Sequence, residues 1–219
     1  MHWFKKSIYN LVKNSVKIYL KTFLEFRVWG KENIPAGPKI FCSNHFSSSD
    51  LLFVITLIDE PVHMVIGPGF KLPVIRWFLK AGEQINALYE NRKDVVNNAV
   101  EYLSKGESIY IFPEGDLNNQ NELLEFYHGV SKIQLASKCP VVPIGIIAPK
   151  RYVKERKANI KIEETVYKTL VVMTGKYYAN IGTPLYFDDK DYSFEKITSL
   201  IKEKIIFLIN DIKTNKFWS

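Results

Sequence analysis

The spacing of apolar and polar positions divides the chain into short alternating segments. Residues 1–24 set Trp3, Phe4, Ile8, Leu11, Val12, Ile18, Tyr19, Phe23 and Leu24 among Lys5, Lys6, Lys13, Lys17 and Lys21, the pattern of an amphipathic helix. Asn33-Ile34-Pro35-Ala36-Gly37-Pro38 reads as a turn, and Pro38 marks the entry to a strand from Lys39 to Cys42. Ser47-Ser48-Ser49-Asp50 then supplies helix-start residues ahead of the apolar run Leu51 to Ile58. Val62 to Ile66 reads as a short strand closed by Gly67-Pro68-Gly69, and Leu72 to Ala81 as a helix with Pro73 in its first turn. A strand around Gln84 to Leu88 follows. Val95, Val96, Ala99, Val100 and Leu103 recur at helical spacing, with Gly106 as terminator.

Ser108 to Phe112 forms the next strand, Val130 to Ser137 a helix, and Val141 to Ile147 a further strand. The chain closes with a strand from Tyr177 to Ile181, a turn at Gly182-Thr183-Pro184 and a helix from about Ser193 to Ile212. This alternation predicts an α/β fold, a mixed sheet covered by helices, with functional loops beyond the strand ends. Two units are expected: an amphipathic membrane-association helix over 1–24 and one domain over 25–219.

Composition narrows the function. A chain of 219 residues with 47% apolar and 24% charged positions suits one ordered domain. The 30 basic against 23 acidic residues give a formal charge of +7, which favours an anionic partner: phospholipid headgroups, a phosphorylated substrate or nucleic acid. No nucleic-acid-binding motif accompanies that charge, so a nucleic-acid partner is not expected. Cys42 and Cys139 are too few for a disulfide framework or a zinc site, which points to a reducing compartment. The four histidines show no metal spacing.

Apolar runs such as Leu51 to Ile58 fall far short of the about 20 residues that span a bilayer, and lysines interrupt the N-terminus where a signal peptide needs an apolar core. The N-terminal helix has two readings. It packs on a core with a solvated basic face, or it lies on a membrane surface with its lysines toward anionic lipid. A second basic cluster, Lys150, Arg151, Lys154, Arg156 and Lys157, reads first as a solvated loop face. Its other reading is a dock for an acidic carrier protein or for the phosphates of coenzyme A.

The candidate chemistry sits at two strand ends. Asn44-His45 and Asp50 form an N-H-x-x-x-x-D pattern just past the first strand. There an imidazole can take a proton from a hydroxyl while a carboxylate at the helix start fixes its tautomer. Taken alone, His45 is also an ordinary loop histidine and Asp50 a helix-start carboxylate. Phe112-Pro113-Glu114-Gly115 likewise reads by itself as a strand ending in a turn with Glu114 exposed. A nucleophilic serine among Ser47, Ser48 and Ser49 lacks a G-x-S-x-G elbow, and a strand-end cysteine such as Cys42 is usually a small buried apolar residue.

In combination, Asn44-His45 with Asp50, Phe112-Pro113-Glu114-Gly115, Val141-Val142-Pro143-Ile144 and the upstream Gly30-Lys31-Glu32-Asn33-Ile34-Pro35 resemble the glycerolipid acyltransferase family that includes the lysophosphatidate acyltransferases. The resemblance runs over roughly residues 28 to 185. It implies that His45 is a general base oriented by Asp50, and that Glu114 and Gly115 lie at the substrate. The donor it implies is an acyl thioester of coenzyme A or of acyl carrier protein, the acceptor a hydroxyl or amine of a lipid-like molecule. No further cofactor or metal is implied, and a peripheral or monotopic place on the cytoplasmic face of a membrane follows.

One departure stands out. The family's second motif normally continues Thr-Arg-Ser, with the arginine associated with the acceptor phosphate, whereas this chain has Asp116-Leu117-Asn118. Leucine removes a bidentate phosphate partner and Asp116 adds repulsion toward a dianion. Arg92, near the family's intermediate arginine, and Lys71, before a Leu-Pro stretch, are the remaining candidate anion contacts. The same departure admits an alternative, a non-catalytic lipid- or partner-binding protein on the same scaffold.

Overall fold

The computed structural model describes residues 3–118, 122–162, 164–188 and 192–216. The central strand β6 (Val141–Ile147) is buried at all seven positions, as an apolar run covered on both faces must be. It pairs in parallel with β2 (Ile40–Ser43), whose other neighbour is β5 (Ser108–Ile111), also parallel. Beyond β5 lie β3 (Val62–Ile66) and the two-residue β4 (Ile85–Asn86), both parallel. On the other flank, β8 (Thr165–Ile181) runs antiparallel to β6 and parallel to β1 (Leu24–Trp29). The order is β1-β8-β6-β2-β5-β3-β4, with β7 (Val153–Ile162) pairing β8 alone. The result is the expected mixed sheet.

Helices cover both faces. Alternation along β2 and β5 sends Phe41 and Tyr110 to the side of α1 (Trp3–Phe23) and α2 (Asp50–Leu57), packed with Phe53, Val54 and Leu57. Ile40, Cys42 and Ile109 point the other way, onto α4 (Val95–Ser104), α5 (Gly129–Ser137) and α6 (Phe194–Asp211). A Cβ on Gly145 of β6 would stand 2.8 Å from the Ile209 backbone nitrogen, so glycine lets α6 lie directly on the strand. At the opposite, amino edge of the sheet, the Lys39 ammonium is almost wholly buried and bonds both Glu60 oxygens at 2.8 and 3.0 Å.

Two expectations need correction. The basic cluster 150–157 is not a loop face: from Val153 it is strand β7, one arm of a long ribbon whose other arm starts at Thr165, well before the expected Tyr177. β1 follows α1 with no intervening turn and was not foreseen. One side of α1 packs on the core, where Leu20 is buried, Val16 and Tyr19 pack, and the Tyr19 hydroxyl donates to the Met173 carbonyl, while Leu11, Ile18 and Phe23 on the same helix stay exposed. Lys13 turns inward as well, donating to the Asp59 carbonyl. Side chains of Trp3, Phe4, Lys5, Lys6 and Ile8 lie outside the described residues. No helix among the described residues is long and apolar enough to cross a membrane.

Candidate active site

The connections leaving β2 and β5 go to opposite faces of the sheet. From β2 the chain crosses through α2 to β3, and from β5 it crosses through α5 in the other direction to β6. Adjacent strands that part in this way open a crevice at their carboxyl ends, where open α/β sheets place their sites. His45 lies just past the end of β2, and Phe112-Pro113-Glu114-Gly115 just past the end of β5.

Asn44 makes the exit from β2. Its side-chain amide donates to the Ile146 carbonyl at 2.9 Å and accepts from the Ile146 N–H at 2.8 Å, continuing the ladder to β6 by one residue. The next peptide is held from both ends. The His45 N–H donates to Glu114 Oε1 at 2.9 Å, and its carbonyl accepts from the Asn118 N–H at 2.7 Å. The imidazole lies against the Phe112 ring, with centroids 4.1 Å apart and planes 21° from parallel.

Asp50, the first residue of α2, is fully buried, and its Oδ2 lies 3.0 Å from His45 Nδ1. Oδ2 also accepts from the Ser47 N–H at 2.8 Å, while Oδ1 accepts from the Ser47 hydroxyl at 2.9 Å and the Tyr177 hydroxyl at 2.7 Å. A buried carboxylate that only accepts leaves Nδ1 to carry the imidazole proton. Nε2 then presents its lone pair, and among the described residues no protein group bonds it. Burial, followed by the charge of Asp50, pushes the Tyr177 phenol well above its ordinary value and keeps it a donor.

The hydroxyls of Ser47 and Ser49 are occupied elsewhere. Ser47 is spent on Asp50. The Ser48 N–H donates to the Leu170 carbonyl at 2.8 Å, and the Ser49 hydroxyl accepts from the Val172 N–H at 3.0 Å, tying the start of α2 to β8. Ser49, which stands at the N-cap of α2, therefore makes no side-chain cap bond. Complete burial, with the nearby charge of Glu114, raises the Cys42 thiol far above its usual range, so it stays a thiol.

Glu114 is not in the exposed place that its motif read alone would give it. It is buried, and besides the His45 N–H it accepts from Asn118 Nδ2 at 2.7 Å and the Leu124 N–H at 2.9 Å. Gly115 has φ +68°, and a Cβ there would meet Tyr127 Cε2 at 2.7 Å, so the turn requires glycine. Asp116 Oδ1 accepts from the Leu117 N–H, the Leu117 side chain packs toward the core, and Asn118 Nδ2 also reaches the Glu122 carbonyl. Lys71 ends the 3-10 turn Pro68–Lys71 after β3, and Arg92 sits in the turn Tyr89–Asp94 after β4 with its guanidinium over Tyr89. Both lie on the carboxyl edge, two and three strands from β2. Tyr177, Phe112 and the inward role of Asn118 escaped the sequence reading. Only Phe112 carried a signal, its place in the second motif. Among the described residues no group of three or more His, Cys, Asp or Glu side chains comes together as a metal site.

An imidazole held by a buried carboxylate thus stands at the carboxyl ends of the strands of a three-layer α/β sheet. A profile of the Acyltransferase family matches residues 25–147, more than half of the chain, and this protein belongs to that family. The chain is 28% identical over 139 residues to the chloroplastic 1-acyl-sn-glycerol-3-phosphate acyltransferase of Brassica napus, covering 61% of this chain and 40% of that protein. It is 23% identical over 203 residues to the 1-acyl-sn-glycerol-3-phosphate acyltransferase of Borreliella burgdorferi, covering 85% of this chain and 72% of that protein. It thus spans about two fifths of the length of the chloroplast relatives it matches. The crystal structure of the 1-acyl-sn-glycerophosphate acyltransferase PlsC from Thermotoga maritima has the same fold, with a TM-score of 0.73 at 20% identity, covering 98% of this chain and 83% of that one.

Proposed function

We propose that this protein transfers a fatty acyl chain from an acyl thioester to a hydroxyl, or an amine, of a lipid-like acceptor. The observation that carries the reading is the His45–Asp50 pair, which leaves Nε2 as a base at the carboxyl edge. The acceptor O–H gives its proton to Nε2 as its oxygen bonds the thioester carbonyl carbon. The tetrahedral intermediate then expels the thiolate, C–S breaks, and the proton on Nε2 passes to sulfur. Asp50 steadies the transient imidazolium. A positioned base contributes about 10² to 10⁴-fold, and the thioester supplies the leaving group.

In this reading Glu114 is a positioning residue that holds the His45 peptide, with Gly115 shaping the turn around it. Lys71 and Arg92 receive the anionic groups of donor or acceptor. The names of the relatives suggest a 1-acyl-glycerol-3-phosphate acceptor, while Leu117 and Asp116 disfavour a phosphate at the second motif itself. The donor is a thioester of coenzyme A or acyl carrier protein, and the enzyme works peripherally on the cytoplasmic face of a membrane.

The test is transfer of a labelled long-chain acyl group, from both donors, to lysophosphatidate, other lysolipids and phosphate-free alcohols or amines in the presence of vesicles. Transfer that falls at least about 100-fold in His45→Ala is expected. No transfer from either donor, or full activity in that variant, overturns the proposal.

A further inference from the structure

Helix α3 (Pro73–Ala81) reverses the usual logic of an amphipathic helix. Leu79 and Ile75 seat it on the preceding turn, where a Cβ on Gly69 would meet them at 3.3 and 3.5 Å. None of its residues is buried. Val74, Trp77 and Phe78, at i, i+3 and i+4, form one apolar stripe directed away from the body, and they are 71%, 61% and 55% exposed. Arg76 and Lys80 flank that stripe, neither engages in an ion pair among the described residues, and α3 holds no acidic residue.

Its place in the fold adds meaning. α3 is an excursion between Ile66, at the carboxyl end of β3, and Ile85, which pairs with Val65, so it stands on the same edge as His45. Tyr89, beside it after β4, is 84% exposed. By contrast, the Lys13 turn of α1 docks at Asp59, on the loop between α2 and β3 at the amino edge. An exposed Trp-Phe stripe with free cations on its flank has the composition of helices that lie in the boundary between headgroups and acyl chains.

We propose that α3 is the element that docks the protein on an anionic lipid bilayer. Trp77, Phe78 and Val74 enter the acyl boundary, Arg76 and Lys80 meet headgroup phosphates, and the carboxyl edge faces the membrane. A lipid acceptor then reaches His45 from the bilayer and its longer product returns there. The inference rests on the acceptor being lipid-like, and the experiment separates the two.

The full-length protein is sedimented with vesicles of phosphatidylcholine alone or with phosphatidylglycerol, and transfer is measured to a vesicle-embedded acceptor and to a short-chain acceptor kept monomeric. Trp77→Glu/Phe78→Glu, whose substituted positions are exposed, is expected to melt as the parent does. It should lose at least about tenfold in vesicle affinity and in transfer to the embedded acceptor while keeping transfer to the monomeric one. Arg76→Gln/Lys80→Gln should lower affinity about 30-fold for the anionic vesicles only. Leu11→Glu/Ile18→Glu, on the exposed side of α1, is the comparison and should lose less vesicle affinity than the α3 variant. Unchanged vesicle binding in the α3 variants overturns the inference, as does loss in the α1 variant alone. So does a parent that is dimeric in solution and becomes monomeric in the α3 variant with vesicle binding intact. Absence of transfer to either acceptor, with α3-dependent binding retained, refutes the acyltransferase reading and leaves the docking surface standing.

Discussion

Replacing Glu114 by glutamine separates a residue that holds His45 from one that touches substrate. The carboxylate accepts three hydrogen bonds in a buried site, one on Oε1 from the His45 N–H and two on Oε2 from Asn118 Nδ2 and the Leu124 N–H. Glutamine offers one oxygen and one NH2. With its oxygen toward Asn118 and Leu124, the NH2 faces the His45 N–H, donor against donor. Turned over, it keeps His45 and faces two donors instead. Reversing the Asn118 amide gives no relief, because Nδ2 also donates to the Glu122 carbonyl. Each orphaned buried N–H costs about 1–3 kcal/mol, and the surviving bonds lose their charge assistance. A loss of about 2–4 kcal/mol of stability is expected.

The catalytic effect follows from geometry. Freeing the His45 peptide moves the imidazole relative to the acceptor, and a misplacement on the order of 1 Å costs about 10²-fold. Glu114→Gln should therefore lower kcat about 10- to 100-fold while leaving KM for donor and acceptor within about threefold. In a double-mutant cycle, His45→Ala/Glu114→Gln should be no slower than His45→Ala, because a positioning residue has nothing left to position. Losses that multiply, or a large rise in KM with kcat intact, would refute the positioning argument and place Glu114 on the substrate.

Two further outcomes are expected. Asp50→Asn puts an NH2 among the donors Ser47, His45 and Tyr177, so the imidazole turns its proton to Nε2. Transfer should fall about 10² to 10⁴-fold at every pH where the parent works, and a variant within threefold of the parent would contradict the tautomer argument. Glu60→Ala strands the buried Lys39 ammonium and should cost about 3 kcal/mol in urea unfolding at unchanged m. Adding Lys39→Met should recover most of that cost, and failure to recover it would mean the pair is not what holds the amino edge.

What could be read from the sequence divides along the range of the interaction. β2, β5 and β6 announce themselves because both faces are covered and every position is apolar or small. β7 does not, since Lys154, Glu155, Arg156, Lys157 and Lys161 leave no apolar alternation and the strand exists by pairing with β8. Within the site, His45 and Asp50 are five residues apart, and a strand-to-helix junction brings them together locally. The bond from the His45 N–H to Glu114 spans 69 residues, and that from Tyr177 to Asp50 spans 127. The first joins two motifs visible in the sequence, but which way Glu114 points is decided by burial. The second has no local signature, because a tyrosine in a β-strand is first of all a large side chain for a core.

Those long bonds bear on the departure after Gly115. Asp116 accepts from the backbone of Leu117, Leu117 packs toward the core, and Asn118 joins Glu114 to the His45 carbonyl. The segment is thus built inward, as support for the histidine, and its exposed charge is the carboxylate of Asp116. A phosphate there would meet a like charge and no fork of donors. On the proposed reading, recognition of an anionic group passes to cations at the far side of the carboxyl edge, Lys71 and Arg92 after β3 and β4, beside the helix that carries Arg76 and Lys80. The base and the anion contacts then belong to different strands. A change of acceptor can be made by changing the turns after β3 and β4 without disturbing the bonds that fix His45.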